Sequence, residues 1–172
     1  MHGATDVTTP SNFRAATLIE ELRLTPHPEG GHYRELFRSR RMVRTDDGRS
    51  ERWAVTTIYY LLSVGDFSRW HRVAADEIWH FYEGSPVELV LLDHDGVRAR
   101  RDVLGAVGEA GAAPVRCVPA GCWQSARPLG EYALMGCTVA PGFEFSDFRL
   151  LADDARAAES LRANHPDLAS LL

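Results

Sequence analysis

The segment Gly65–Gly84 reads GDFSRWHRVAADEIWHFYEG and is the most informative part of the sequence. Two short runs within it, residues 67–73 and 77–82, flank a turn-compatible Ala-Ala-Asp and predict two β-strands. Side chains alternate between the two faces of a strand. If these strands form a hairpin, the imidazole of His71 and the carboxylate of Glu77 face each other across the strand pair.

Short apolar or alternating runs continue on both sides of this segment. They recur at intervals of about ten residues, are separated by Gly, Pro and Asp, and have no helical pattern between them, which predicts an antiparallel sandwich or barrel over residues 30–150. A helix is predicted over residues 13–24, after a flexible tail at 1–12. A helical tail is predicted over 153–172, and the sequence Asp93–Gly96 predicts a hairpin turn.

Length and composition indicate one folded domain spanning residues 1–172. A chain of this length builds a single hydrophobic core, and 45% apolar with 25% charged residues excludes an intrinsically disordered protein. The formal net charge of -5, with arginines scattered among carboxylates, disfavours a nucleic-acid partner.

The sequence also argues against a membrane or secreted protein. The richest apolar runs, Ile58–Leu62 and Leu89–Leu92, are far shorter than a membrane-spanning helix. The N-terminus lacks the basic and apolar regions of a signal peptide. Three cysteines without a paired motif fit reduced thiols, so a cytoplasmic protein is expected.

The segment 65–84 resembles the first motif of the cupin superfamily, G-x5-H-x-H-x3,4-E-x6-G. Gly65, His71, Glu77 and Gly84 fall on that motif with every gap correct. Val73 occupies the position of its second histidine.

The second cupin motif, roughly P-x-G-x2-H-x3-N, is similar to the sequence that begins at Pro119. Gly121 falls on the motif, Gln124 stands at the histidine position and Pro128 at the asparagine position. The resemblance implies a metal site made of three histidines and a glutamate, and only part of that set is present.

Other stretches resemble one particular cupin family, catalogued as domain-of-unknown-function family 985. These stretches are Leu24–Gly31, Tyr33–Glu35, Thr57–Leu62, His71–Val73, Asp76–His80, Val118–Gln124, Ala140–Phe145 and Asp147–Phe148. The resemblance covers about residues 18–150. It implies a double-stranded β-helix (jelly roll), a small-molecule pocket in the barrel mouth and a homodimer, without a settled reaction.

Two interpretations of the central pair remain open at this point. In one, His71, Glu77 and Gln124 are the ligands of a divalent metal ion of unknown identity. In the other, no metal takes part and Glu77 orients His71 for proton transfer.

Aromatic residues on the same strands indicate a pocket for an organic ligand. Trp79 and Phe81 share the face of Glu77, and Tyr59 and Trp123 lie on other predicted barrel strands or turns. Each of these rings is also a natural core residue.

The Pro-His-Pro-Glu-Gly-Gly stretch offers two further titratable side chains. His27 and Glu29 could line the pocket entrance or a dimer seam, but the prolines and glycines favour a purely structural turn.

The leading hypothesis is an enzyme of isomerase, epimerase or lyase type that acts on a small polar organic substrate by proton transfer. In it His71 is the general base, Glu77 orients and polarises His71, and Gln124 with Tyr59 positions a carbonyl or hydroxyl group, beside the rings of Trp79 and Phe81. The alternatives are a metal-dependent oxygenase and a non-catalytic metabolite-binding or sensor module.

Overall fold

The computed structural model describes residues 10–93 and 97–172. The first half of the chain contains α1 (Pro10–Glu21), β1 (Thr25–Pro26), β2 (His32–Arg38), β3 (Met42–Val43), β4 (Arg52–Trp53), β5 (Thr56–Ser63), β6 (Ser68–Val73), β7 (Asp76–Gly84) and β8 (Val87–Leu92). The second half contains β9 (Ala99–Leu104), β10 (Ala112–Ala113), β11 (Val115–Val118), β12 (Trp123–Pro128), β13 (Tyr132–Ala140), β14 (Phe148–Leu150) and α2 (Ala155–Asn164). Short 3-10 helices cover Phe145–Asp147, Leu151–Asp153 and Pro166–Leu171.

Two large sheets form the body of the protein. One has the strand order β1-β2-β5-β13-β7-β11 and the other β10-β9-β8-β12-β6-β14, while β3 and β4 make a separate small pair. The pairings are antiparallel apart from β9 with β10. This arrangement confirms the predicted all-β fold with a helix at each end.

The main core lies between the two sheets. Its fully buried side chains include Tyr60, Leu62, Trp79, Leu89 and Met135. They come from both sheets and alternate along their strands with side chains on the outer faces. Removing this much apolar surface from water is the principal stabilisation of the barrel.

Helix α1 packs on the outer face of the first sheet, where Ala15 and Leu18 contact Leu61. It begins and ends earlier than the predicted 13–24. Arg23 adopts a left-handed backbone with φ 53°, and the amide of Leu24 bonds back to the carbonyl of Ile19 at 2.9 Å, which terminates the helix. No helix in the described residues is long and apolar enough to cross a bilayer.

The C-terminal helices cover the outer face of the second sheet. The Asp154 side chain caps α2 by accepting a hydrogen bond from the amide of Ala157 at 3.0 Å. Leu161 and Leu168 bury the ring of Trp70, whose Nε1 donates to the Leu168 carbonyl at 3.1 Å.

The prediction that residues 67–73 and 77–82 form a hairpin is wrong. Strand β6 pairs with β12 and β14, whereas β7 pairs with β13 and β11, so the short connection at Ala74 and Ala75 crosses from one sheet to the other. His71 and Glu77 therefore approach the interior from opposite sheets.

Two local features differ from the sequence prediction, and a third falls partly outside the described residues. Strand β12 was not predicted because its first four residues are all buried and show no alternation. The last predicted strand, 143–150, is a 3-10 turn followed by the short β14. Strands β8 and β9 pair antiparallel, but residues 94–96 of the predicted turn at Asp93–Gly96 lie outside the described residues.

Candidate functional site

A cavity of about 230 Å³ lies between the two sheets at one end of the barrel. Its ionisable lining includes His27, Glu29, His71 and Glu77, and also Arg23, Arg34, Glu35, Arg38, Cys137 and Glu144. Apolar and aromatic residues line much of the remaining wall: Tyr33, Ile58, Val73, Val139, Phe143 and Phe145. A concave site with a few converging polar groups is the usual form of a small-molecule pocket.

Glu77 stands at the start of β7 and is buried, with 6% of its surface exposed. The side-chain amide of Gln124 donates a hydrogen bond to its Oε2 at 2.5 Å. Burial raises the pKa of Glu77 to about 7, against the opposing effect of the nearby His71 and with a further increase from the charge of Glu29. This carboxyl group is therefore poised to gain or lose a proton near neutral pH.

His71 projects into the cavity from β6. Its Nδ1 donates to the backbone carbonyl of Arg69 at 2.8 Å, and a carbonyl oxygen only accepts, so Nδ1 carries a proton. Nε2 faces the carboxylate of Glu29, with 3.4 Å between Nε2 and Oε2. The expectation that Glu77 orients His71 is therefore wrong, because a backbone carbonyl and Glu29 hold the ring.

Glu29 reaches the interior because of the turn that carries it. Gly30 has φ 118°, and a Cβ atom there would collide with the carbonyl oxygen of Phe67. The close approach buries Glu29, whose Oε1 accepts a hydrogen bond from the hydroxyl of Ser68 at 3.0 Å. The Tyr60 hydroxyl donates to the Gly30 carbonyl at 2.9 Å and secures the same turn.

His27 lies in the same turn, with 7% of its side chain exposed. Its Nδ1 accepts a hydrogen bond from the backbone amide of Glu29 at 3.2 Å. The ring meets Tyr33 edge-on, with 4.5 Å between ring centroids, and stacks over Phe145 at 6.2 Å. Burial lowers the pKa of His27, the charge of nearby Glu29 opposes that effect, and His71 adds to it.

The sequence favoured a structural turn for His27 and Glu29 and kept the pocket entrance as an alternative, and both residues line the cavity. The available signal was the pair of titratable side chains directly before Gly30 and Gly31. A glycine whose backbone must pass close to another strand carries its neighbours inward.

The other predicted pocket residues on the interior faces lie behind Glu77. The Oε1 of Gln124 accepts a hydrogen bond from Nε1 of Trp79 at 3.0 Å while its amide nitrogen donates to Glu77. Phe81 packs against the main core, farther along β7. Gln124, Trp79 and Phe81 are thus absent from the cavity wall, and Gln124 and Trp79 support Glu77 from behind.

The structure does not bring Tyr59 to the cavity. Its ring packs on the outer face of the first sheet with the side chains beneath α1, and meets Tyr82 edge-on at 5.9 Å. Tyr60, the next residue on β5, occupies the interior. The correction follows from strand alternation, since adjacent residues point to opposite faces.

The sequence matches, over residues 16–151, the family profile described as cupin superfamily (DUF985). The chain belongs to this cupin family. That result confirms the resemblance seen in the sequence motifs.

Two solved structures are similar to this cupin along nearly their whole length. A hypothetical protein from Leishmania major is 31% identical with a TM-score of 0.77, and the match covers 91% of this chain and 95% of that one. A protein from Shewanella oneidensis is 34% identical with a TM-score of 0.76, covering 91% of this chain and 93% of that one. Neither description states an activity.

More distant structural similarity extends to oxalate decarboxylase from Bacillus subtilis. Its structure at pH 4.6 is 17% identical with a TM-score of 0.55, and the match covers 86% of this cupin and 36% of that chain. Identity this low supports a shared fold alone. No curated protein matches the sequence.

The residues of this cupin do not fit the metal site that its superfamily motifs imply. Across residues 10–93 and 97–172, no group of three or more His, Cys, Asp or Glu side chains has an arrangement that could hold a metal ion. Val73 contributes an apolar side chain to the cavity, and both ends of the Gln124 amide are engaged by Trp79 and Glu77. Nε2 of His71 faces Glu29. The predicted set of His71, Glu77 and Gln124 therefore does not converge as ligands.

Proposed function

We propose that this cupin is an enzyme of isomerase, epimerase or lyase type that moves a proton on a small polar organic substrate. Glu77 and His71 are its acid/base groups. The observation that carries the proposal is the buried Glu77 carboxyl in the cavity wall, with its pKa raised to about 7. A group that titrates near the working pH is the most effective proton donor and acceptor.

The positions of the two groups support this chemistry. Glu77 extends from β7 in one sheet and His71 from β6 in the other, so a substrate between the sheets meets both. Gln124 holds the Glu77 carboxyl in one orientation, and Trp79 holds Gln124. Side chains fixed in this way lose little freedom when substrate binds.

The cavity also limits the substrate to a small molecule. Its volume of about 230 Å³ suits a compact compound, and its wall contains apolar rings alongside the polar groups. Tyr33 and Phe143 offer flat surfaces on which such a compound can pack.

The experiment is a search for proton exchange in heavy water. Wild-type protein is incubated in D₂O with pooled hydroxy acids, keto acids, amino acids and sugars, and replacement of C–H by C–D is followed by NMR and mass spectrometry. We expect exchange in at least one compound, falling by about 10²-fold or more in Glu77→Gln because that variant cannot transfer the proton. Glu131→Gln, at an exposed carboxylate, serves as the matched control and should exchange at the wild-type rate.

Two outcomes contradict the proposal. Unchanged exchange in Glu77→Gln would remove Glu77 from the mechanism. A pooled compound that binds the wild-type protein and never exchanges would favour the metabolite-binding module instead.

A further inference from the structure

The hydrogen bond at Nδ1 determines which nitrogen of His27 carries a proton. The backbone amide of Glu29 donates to Nδ1 at 3.2 Å, so Nδ1 presents its lone pair. A neutral imidazole has one N–H, and that proton must then be on Nε2.

The neighbouring carboxylate does not change this assignment. Oε2 of Glu29 lies 3.6 Å from Nδ1 of His27, a separation that permits an ion pair if Nδ1 is protonated. The same nitrogen cannot accept the Glu29 amide and donate to the carboxylate, and the amide contact is the shorter one. Burial, which lowers the pKa of His27, favours the neutral ring as well.

The Nε2–H of His27 has no hydrogen-bond partner in the part of the chain that the structure describes. Only 7% of the His27 side chain is exposed, and it lines the cavity. The rings of Tyr33 and Phe145 hold its plane. This donor is not sealed from solvent, so a ligand oxygen that enters the cavity can replace water as its hydrogen-bond partner.

A neutral imidazole donor in the same cavity as a carboxyl group that titrates near neutrality is suited to proton transfer next to a carbonyl. The carboxylate takes the proton from carbon, and the imidazole N–H stabilises the negative charge that develops on oxygen. A neutral imidazole can donate this hydrogen bond to the oxygen while its Nε2 proton stays on the ring.

We propose that His27 is a catalytic residue whose Nε2–H donates a hydrogen bond to the carbonyl oxygen of the substrate, which is a small carbonyl compound with a hydrogen on its α-carbon. This inference rests on the proposed function and names its substrate class.

The step is balanced without an oxidant or reductant. Glu77 as carboxylate takes the α-proton, the C–H electron pair forms the carbon–carbon double bond, and the carbonyl π pair moves onto oxygen. His27 stabilises that enolate oxygen. Return of the proton from Glu77 to the α-carbon, on either face, re-forms the carbonyl and the Glu77 carboxylate.

The first measurement needs no substrate. Long-range ¹H–¹⁵N spectra of the full-length labelled protein at neutral pH should show His27 as the neutral Nε2–H form. A proton on Nδ1, or a charged imidazolium, would overturn the inference directly.

The second measurement uses defined probes and matched variants. Hydroxyacetone, dihydroxyacetone and pyruvate are tested for α-proton exchange in D₂O, and glycolohydroxamate, a planar mimic of an enediolate, is tested for binding. His27→Phe keeps a ring beside Tyr33 but removes the donor, and should slow exchange by about 10²-fold. His27→Gln keeps an N–H and should retain much of the exchange and of the glycolohydroxamate binding. His80→Gln is the control away from the cavity wall and should match the wild type.

The variants separate failure of this inference from failure of the proposed function. Exchange lost in Glu77→Gln and kept in His27→Phe would overturn the role of His27 alone. Exchange kept in Glu77→Gln would overturn the proposed function. If the wild type exchanges none of the three carbonyl probes and does not bind glycolohydroxamate, the carbonyl substrate class is wrong.

Discussion

Glu29 and Glu77 are two buried carboxyl groups in one cavity, and their surroundings differ. Glu29 lies between the hydroxyl of Ser68 and Nε2 of His71. Glu77 accepts a hydrogen bond from the amide of Gln124, interacts with the buried thiol of Cys137, and faces the cavity. The two carboxyl groups therefore have different hydrogen-bond partners within one cavity.

The protonation of Glu77 predicts how stability depends on pH. Its pKa of about 7 in the folded protein exceeds its ordinary value of 4.5, so the folded state retains a proton that the unfolded chain releases. This stabilisation is fully present below pH 4.5 and is lost as the pH rises through 7. The difference corresponds to about 3 kcal/mol.

Urea denaturation of the wild type and of Glu77→Gln across this pH range measures the effect. Relative to Glu77→Gln, the wild type should lose on the order of 3 kcal/mol of unfolding free energy toward alkaline pH. Parallel pH curves for the two proteins would contradict the raised pKa.

At the scale of elements, the segment Phe143–Phe148 closes one side of the cavity and is held by ionic contacts. Asp147 accepts two hydrogen bonds from the Arg52 guanidinium, each at 2.8 Å, and one from Arg49 at 2.8 Å. These arginines lower the pKa of Asp147, with the Arg52 hydrogen bonds as the main cause. Arg38 binds the Phe143 carbonyl at 3.2 Å. The position of the aromatic wall thus depends on charged groups at the cavity wall and beside it.

Asp147→Asn should loosen this segment. It removes the carboxylate that accepts two hydrogen bonds from Arg52, and we expect a loss of about 1–3 kcal/mol in unfolding free energy. Backbone amides of residues 143–148 should exchange with D₂O faster than in the wild type. Arg44→Gln breaks the exposed pair with Glu51 and is the control, with an expected loss below about 1 kcal/mol. Equal effects of the two substitutions would argue against the role of Asp147.

At the scale of the whole molecule, the cavity lies between the two sheets, whereas the terminal helices pack on their outer faces. Successive residues of β6 point to the two sides of their sheet: His71 faces the cavity, and Trp70 faces the C-terminal helices. The clusters beneath the terminal helices therefore stabilise the fold without contacting the cavity side chains His71 and Glu77. The homodimer and the cytoplasmic location expected from the sequence stay predictions.

Leu161→Ala should show this separation. Leu161 is fully buried, and the cavity left by its side chain should lower the unfolding free energy by about 2–5 kcal/mol. The ¹H–¹⁵N pattern of the His27 ring should be unchanged, because Leu161 packs on the far side of the second sheet. Leu129→Ala, at a side chain that is 54% exposed, should leave stability near the wild-type value. A changed His27 pattern in Leu161→Ala would show that the two layers are coupled.

Local patterns in the sequence were sufficient for the all-β class, the terminal helices, the cupin motif and the inward orientation of His71 and Glu77. Alternation and motif spacing depend on residues close together in the chain, so they can be seen without the fold. Strand β12 was not predicted, because a strand that is buried on both faces shows no alternation of polar and apolar residues.

Tertiary structure alone decided which groups surround those two residues. It placed β6 and β7 in opposite sheets, turned Tyr59 outward, engaged Gln124 with Trp79, and brought the turn of His27 and Glu29 against β6. These contacts join residues far apart in the chain, and their formation depends on packing of the whole barrel. No periodicity in the chain encodes such long-range contacts, which is why the composition of the cavity became evident only in the folded molecule.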